Sequence, residues 1–418
     1  MPTLRGRPLP WRTGAALAAL AMLVTACGGT AAVTTSSSTI AFGVDHPFTG
    51  AYAFVGEACL QGAQVATQEI NAAGGVLGHK LVMDHADTLG DPADAVPATN
   101  QLVAVDNVKV VIGPGGLEVT AVQPLLDKDK IPFMFEGGDT LLDHTHDPFL
   151  WRDSPSDAQE GIAMALYALQ KGYKSAVMMM TSITSAQDFV PVIESAFKKG
   201  GGKILGNETL TPSQSSYESQ IQQVIKLHPQ VIFTQMDPVT GGTVFTEFQQ
   251  LNSLGIPFIG TDTTAGSDFV SAVTAQAANK ALTSAEGASA STQATPVWLK
   301  WFHKSKKGQP LASAVYAYDA TIVAALAMDK AGTTNGPKVA KQIPQVADPP
   351  GIPVYSYAQG LKDIKAGKKI NYEGASGSFD YNQYHNVFGP FAIVKSNLAG
   401  SFKQIAVISG AAIEKAAA

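Results

Sequence analysis

The stretch Val108-Lys109-Val110-Val111-Ile112-Gly113-Pro114-Gly115-Gly116-Leu117-Glu118-Val119-Thr120 decides how this chain is read. A β-branched apolar run meets a glycine-rich corner and then a polar, helix-capable segment, the pattern of strand, tight turn and helix start in a parallel sheet. Such corners turn backbone N–H groups toward whatever lies above the sheet, and a helix N-terminus adds a preference for anions. A nucleotide loop fits poorly. No Lys-Ser or Lys-Thr follows the glycines, and the dinucleotide glycine spacing is absent. A purely structural turn and a site for a small polar or anionic ligand both stay open.

Outward from this corner, strands and helices alternate. Upstream, an apolar strand over 39–44 leads into the loop Asp45-His46-Pro47-Phe48-Thr49-Gly50. A helix over 54–73 follows, stopped by Asn71-Ala72-Ala73-Gly74-Gly75, where glycine supplies the left-handed cap. A strand over 80–84 and a helix over 92–105 complete the approach. Downstream, helices are expected over 119–126, 157–169, 185–199, 217–227 and 242–254. Strands are expected over 131–135, 175–180, near 204, over 231–234 and over 258–260. Later helices fall at 298–304 and 316–330, and terminal strands at 391–394 and 404–408. The proline- and glycine-rich stretch 336–360 shows no clear element. This alternation predicts an α/β chain with parallel sheets covered on both faces, and the number of units exceeds what one compact sheet holds. Two lobes are expected.

The first 26 residues read as a processing signal. Arg5, Arg7 and Arg12 precede an apolar run over 14–24, too short to span a bilayer. Val24-Thr25-Ala26-Cys27 then resembles the lipobox of bacterial lipoproteins, which implies lipidation at Cys27 and a membrane anchor. Residues 27–38, small and rich in Thr and Ser, read as a flexible tether. Losing 1–26 removes three arginines and no acid, so the formal charge moves from −5 to −8. An acidic body suits no nucleic-acid backbone. Cys59 is then the one other cysteine, so no disulfide framework exists, and its apolar helical setting marks a buried small hydrophobe.

Catalytic patterns are absent. The eight histidines are scattered, His144 and His146 being the closest pair, short of the three or four convergent ligands that zinc needs. There is no Gly-x-Ser-x-Gly elbow, His-Glu-x-x-His helix or Cys-x-x-Cys pair. No metal or other cofactor is expected, and no enzymatic activity. Recognition chemistry fits better. Polar or glycine-rich groups stand at or past strand ends at Gly115 and Gly116, over 136–140, at Asp157 behind Arg152, and at Asp262. Ligands of open α/β sheets bind beyond the carboxyl ends of the strands. Thr49 and Thr140 offer hydroxyls, and Asp157 and Asp262 can neutralise an ammonium or accept from an amide. Helix capping is the competing role for either aspartate. Arg152 can grip an anion or lock a crossing between lobes through acids such as Asp153. Tyr52, Phe54, Trp151 and Tyr316 can wall a pocket or fill a core.

These residues match a wider pattern. Phe48-Thr49-Gly50, the run from Ile70 to Gly78, Val111-Ile112-Gly113-Pro114, Tyr316-Ala317-Tyr318-Asp319-Ala320 and Gly374-Ala375-Ser376-Gly377-Ser378-Phe379-Asp380 resemble the branched-chain amino-acid type of periplasmic binding protein. The resemblance implies a type I fold, two Rossmann-like lobes joined by three hinge crossovers, here near Asp153, Gly287 and Phe379. Lobe one is expected over 38–153 and 288–378, and lobe two over 154–287 and 379–411. It further implies an extracytoplasmic receptor, monomeric, that delivers a small polar ligand (an amino acid, an amide or a related amine-bearing compound) to an ABC permease and its ATPase subunits. The ligand site implied comprises Thr49, Phe54, Val55, Gly115, Gly116, Leu117, Gly137, Gly138, Asp139, Asp157, Thr240 and Asp262. Two departures stand out. Gly115-Gly116-Leu117-Glu118 replaces the family's serine-rich loop, and Gly137-Gly138-Asp139 replaces its Ala-Ala-Thr-type loop, where an acid repels a carboxylate. A sensor that signals through a membrane partner is the alternative reading, and an envelope hydrolase a more distant one.

Overall fold

The computed structural model describes residues 39–50, 52–116, 118–287, 293–311 and 313–417. The expected signal, the tether, the lipidation site Cys27 and the candidate ligand residue Leu117 lie outside them.

A first sheet of five parallel strands is built from β1 (Ile40–His46), β2 (Leu81–Asp87), β3 (Val111–Ile112), β4 (Phe133–Phe135) and β5 (Leu150–Arg152), in the order β2-β1-β3-β4-β5. The chain then enters a second sheet with β6 (Ser175–Thr181), β7 (Lys203–Leu210), β8 (Val231–Gln235), β9 (Phe258–Gly260) and β10 (Leu282–Gly287). It returns to the first lobe through helices Ala294–Ser305 and Ala314–Ala331 and a two-stranded parallel patch, β11 (Ile352–Val354) and β12 (Ile370–Tyr372). A last crossing adds the antiparallel β13 (Phe391–Ser396) and β14 (Phe402–Ile408), giving the order β14-β13-β10-β9-β8-β6-β7. The result is an α/β fold of two lobes, each a sheet with helices on its faces. No described helix is long and apolar enough to cross a membrane.

Local chemistry explains the elements. The β1 strand is buried at all but one position, as a strand sandwiched between helices must be. Its covering helix Ala53–Ala72 touches helix Ala314–Ala331 backbone to backbone, since a Cβ on Gly62 would fall 1.8 Å from the Ala314 carbonyl oxygen. Small residues Ala63, Ala66, Ala317 and Ala320, all buried, keep that approach close. Cys59 is buried in the same interface. The Asn71–Gly75 turn works on two levels. Gly75, at φ +78, donates its N–H to Ile70 at 2.9 Å, and the Asn71 amide clasps both backbone groups of Leu81 at 2.8 Å. That clasp fixes where β2 starts.

Three expectations shift. The helix expected from Gly242 begins at Pro238, because Asp237 caps it by accepting from Val239 and Thr240 N–H at 3.0 Å and proline suits the first turn. The stretch 336–360 holds two short helices, Gly336–Ala340 and Ile343–Ala347, then β11 and the start of helix Tyr357–Lys365. The strands β5, β10 and β12 carry too short or too polar a run to be seen by periodicity, and sheet pairing alone defines them.

Candidate functional site

A cleft of about 330 Å³ lies beyond the carboxyl ends of β4, β5, β9 and β10. One wall comes from the first lobe: Val55 of the covering helix, Gly115 and Gly116 after β3, and Glu136, Gly137 and Gly138 after β4. The facing wall comes from the second: Asp157 and Glu160 in the first turn of helix Asp157–Gln170, and Asp262 after β9. Ser154, Ser156, Ser313 and Tyr316 fill the remaining rim.

The two glycine corners touch each other. A Cβ on Gly137 would lie 2.7 Å from the Gly116 α-carbon, so this approach admits no side chain. Gly138 meets the other lobe in the same way. Its added Cβ would fall 1.6 Å from Asp157 Oδ1, while the Asp157 N–H donates to the Gly138 carbonyl at 2.9 Å. The backbone donors at these corners are partly spent inside the protein. Gly115 N–H donates to Glu118 Oε2 at 3.1 Å, and Gly137 N–H to Ser154 Oγ at 3.0 Å.

The cleft is rich in acids held above their ordinary range. Burial, then the neighbouring Asp153, pushes Glu136 well up. Both Glu136 carboxyl oxygens are shut off from solvent and receive no hydrogen bond, although Ser313 faces them. Burial, followed by the charges of Asp262 and Asp157, raises Glu160 well above normal, and its Oε1 accepts the Asp262 N–H at 2.7 Å. Asp157 is pushed up to about 7 by burial and by Asp262. Asp262 is exposed at the cleft, yet the protein around it is dense enough for desolvation to raise it as well.

Of the residues expected from sequence, Val55, Gly115, Gly116, Gly137, Gly138, Asp157 and Asp262 line this cleft. Others have different surroundings. The Thr49 hydroxyl donates to Asp87 at 2.7 Å on the surface, and Phe54 is 66% exposed outside the cleft. The Asp139 carboxylate caps its own turn by accepting from Leu141 N–H. Thr240 is fully buried at the start of helix Pro238–Gln250, bonded to Asp237 and to Ser213 N–H. Arg152 is buried too. Its guanidinium pairs with Asp143, donates to the Asp139 carbonyl at 2.5 Å and lies over the Phe135 ring, so it braces the loop after β4. His144 and His146 pack on the Tyr384 ring.

Sequence reasoning did not single out Glu160 or His46. Glu160 sits three residues after Asp157 and so on the same helix face, a spacing that could have found it. His46 had no such signal. It borders a side pocket of about 150 Å³ that shares Val55, Gly115 and Gly116 with the cleft. Neither ring nitrogen has a partner, and burial lowers its pKa to about 4, so the ring is neutral.

A model of the periplasmic binding protein family matches residues 39–400. The chain belongs to the periplasmic binding protein family. Among its relatives, this binding protein is 28% identical over 201 residues to Leu/Ile/Val-binding protein homolog 3 of Brucella melitensis, a match covering 46% of this chain and 53% of that one. It is 26% identical over 258 residues to Leu/Ile/Val-binding protein BraC3 of Rhizobium johnstonii, covering 60% and 69%. The chain thus spans about half the length of the first relative and little more than two thirds of the second. Its fold is similar to the crystal structure of the branched-chain amino acid transporter substrate binding protein LivJ of Streptococcus pneumoniae in complex with isoleucine, with TM-score 0.68 and 21% identity over 89% of this chain and 100% of that one.

Proposed function

We propose that this periplasmic binding protein is the extracytoplasmic receptor of an ABC importer, capturing a small polar ligand between its lobes and presenting it to a permease driven by ATPase subunits. One observation carries the reading: the cleft is walled by both lobes, Glu136 and Gly138 on one side and Asp157 and Asp262 on the other. A ligand touching both walls stabilises the closed arrangement and so signals occupancy to the membrane partner. The lobes are taken as 38–153 with 288–378 and 154–287 with 379–411, hinged near Asp153, Gly287 and Phe379. A lipid on Cys27 would hold the monomer at the membrane through the tether 27–38. The contacts proposed are Val55, Gly115, Gly116, Gly137, Gly138, Asp157 and Asp262, and Leu117 is kept in the set from the sequence alone. Thr49, Phe54, Asp139 and Thr240 stand outside this set.

A thermal-shift screen over amino acids, amides, amines and organic acids tests the reading. A true ligand at a hundredfold excess over its Kd adds about 2.7 kcal/mol to the folded state and raises the melting temperature. No shift with any compound class, in protein that unfolds cooperatively, removes the receptor assignment.

A further inference from the structure

We infer that the cleft selects a cationic, nitrogen-donor ligand that carries no carboxylate, with Glu136 as the anchor. The inference rests on the receptor reading above and narrows it to a chemical class.

Glu136 is the first observation. A carboxyl group whose two oxygens are hidden from solvent and receive no hydrogen bond is costly in a folded protein, and native structures place such groups where something else supplies the donor. The residue lines the cleft just past β4, and its carboxyl group lies behind that wall, so a bound N–H group meets it by displacing the lining. The second observation is the sign of the walls. Asp157, Glu160 and Asp262 face the same space, and among the described residues no lysine, arginine or histidine lines it. Arg152, the one nearby guanidinium, is committed to Asp143 and the Asp139 carbonyl. The third is the fate of the donors. A carboxylate entering at the glycine corners would need their N–H groups, but those of Gly115 and Gly137 already serve Glu118 and Ser154. The cleft therefore offers many acceptors, lacks the cation that a carboxylate favours, and has two of its corner donors already in use. An ammonium, amidinium or guanidinium group fits all three observations, since each brings several N–H donors and a positive charge. The cleft volume lies near the small end of small-molecule sites, which suits a compact cation or short diamine.

Titration calorimetry of the purified protein with 1,4-diaminobutane, benzamidinium, acetamide, leucine and valerate tests the class, with small-angle scattering on each mixture to read closure. The expected result is a cation bound at least tenfold more tightly than leucine, acetamide or valerate. Glu136→Gln should weaken that cation at least tenfold while leaving the ligand-free melting temperature unchanged or higher. Asp262→Asn, on the opposite wall, should weaken it as well and guards against a local effect of the first change. Leucine, acetamide or valerate binding as tightly as the best cation, or no cation binding at all, overturns the inference. So does an unaltered cation affinity in Glu136→Gln. If a zwitterion, amide or anion compacts the protein, the receptor reading survives that failure. If no probe compacts it, both readings fail.

Discussion

Two buried carboxyl groups of the first lobe, Asp319 and Glu136, show how differently one burden can be handled. Asp319 sits in helix Ala314–Ala331 and accepts from the Tyr372 hydroxyl at 2.6 Å, from Ser376 N–H at 2.7 Å and from the Ser376 hydroxyl at 2.6 Å. Burial pushes it up to about 6, and these donors limit the rise. Glu136, at the end of β4, has only the Ser313 hydroxyl facing it and no well-formed hydrogen bond, and burial together with Asp153 drives it well above its usual range. Asp319 ties its helix to β12 and the Gly374–Asp380 turn. The satisfied acid belongs to the fold, whereas the unsatisfied one belongs to the cleft.

Stability measurements break this comparison most directly. Asp319→Ala strands three buried donors and should cost about 3–4 kcal/mol in urea unfolding, a large share of a domain's stability. Glu136→Gln, in the same assay without ligand, should cost nothing measurable, because no well-formed hydrogen bond is lost and the amide can still meet the Ser313 hydroxyl. Equal losses in the two variants would mean that Glu136 has a structural partner and that the contrast is false.

The pH dependence of stability sharpens the contrast at a smaller scale. Burial raises Asp45, Asp153 and Asp157 to about 7 and Asp319 and Asp348 to about 6, against an ordinary 3.8. The folded chain therefore binds more protons than the unfolded one. The stabilisation is complete below about pH 4 and is lost as pH rises through 6 to 7. His46 opposes it, since its folded pKa of about 4 lies below 6.5 and its contribution fades as pH falls between them. His385 is lowered by burial in the same sense. Acids outnumber these two rings, so the urea midpoint should fall from pH 5.5 to pH 8. A midpoint that rises over that interval would show that the acids are paired in solution. In Asp319→Asn the fall should be shallower, and in Glu136→Gln as well.

The legible part of this molecule was periodic or punctuated. Alternating β-branched and helical runs revealed the α/β class, and the Asn71–Gly75 turn has a visible reason in its glycine φ values and the Asn71 clasp on Leu81. The glycine corners after β3 and β4 could be placed at the cleft because strand ends converge there. What stayed hidden depends on pairing across the chain. Nothing in Leu282–Gly287 marks it as a strand until β9 and β13 flank it. Side-chain commitment was equally invisible. Arg152 looked free to grip an anion, but Asp143, nine residues away, takes its charge. Thr240 looked available and is buried against Asp237. Residue type announces capacity, and only the fold says which capacity is already used.

The smallest expected effect concerns Thr49, an acid's partner of a third kind. Asp87 is little buried, and that slight desolvation is outweighed by hydrogen bonds from Phe48 N–H at 2.8 Å, the Thr49 hydroxyl at 2.7 Å and Leu89 N–H at 3.0 Å, which leave its pKa lowered. Here the acid is only half-buried and is over-supplied with donors, the reverse of Glu136. Losing one of three donors in water costs little, so Thr49→Val should change unfolding free energy by about 0.5 kcal/mol. Ligand affinity should not change, because the hydroxyl already serves Asp87 outside the cleft. A tenfold loss of affinity in Thr49→Val would show that the hydroxyl leaves Asp87 for the ligand when the lobes close. The two remaining donors could hold that carboxylate meanwhile, and Thr49 would then regain the ligand-binding role its position in the loop after β1 implies.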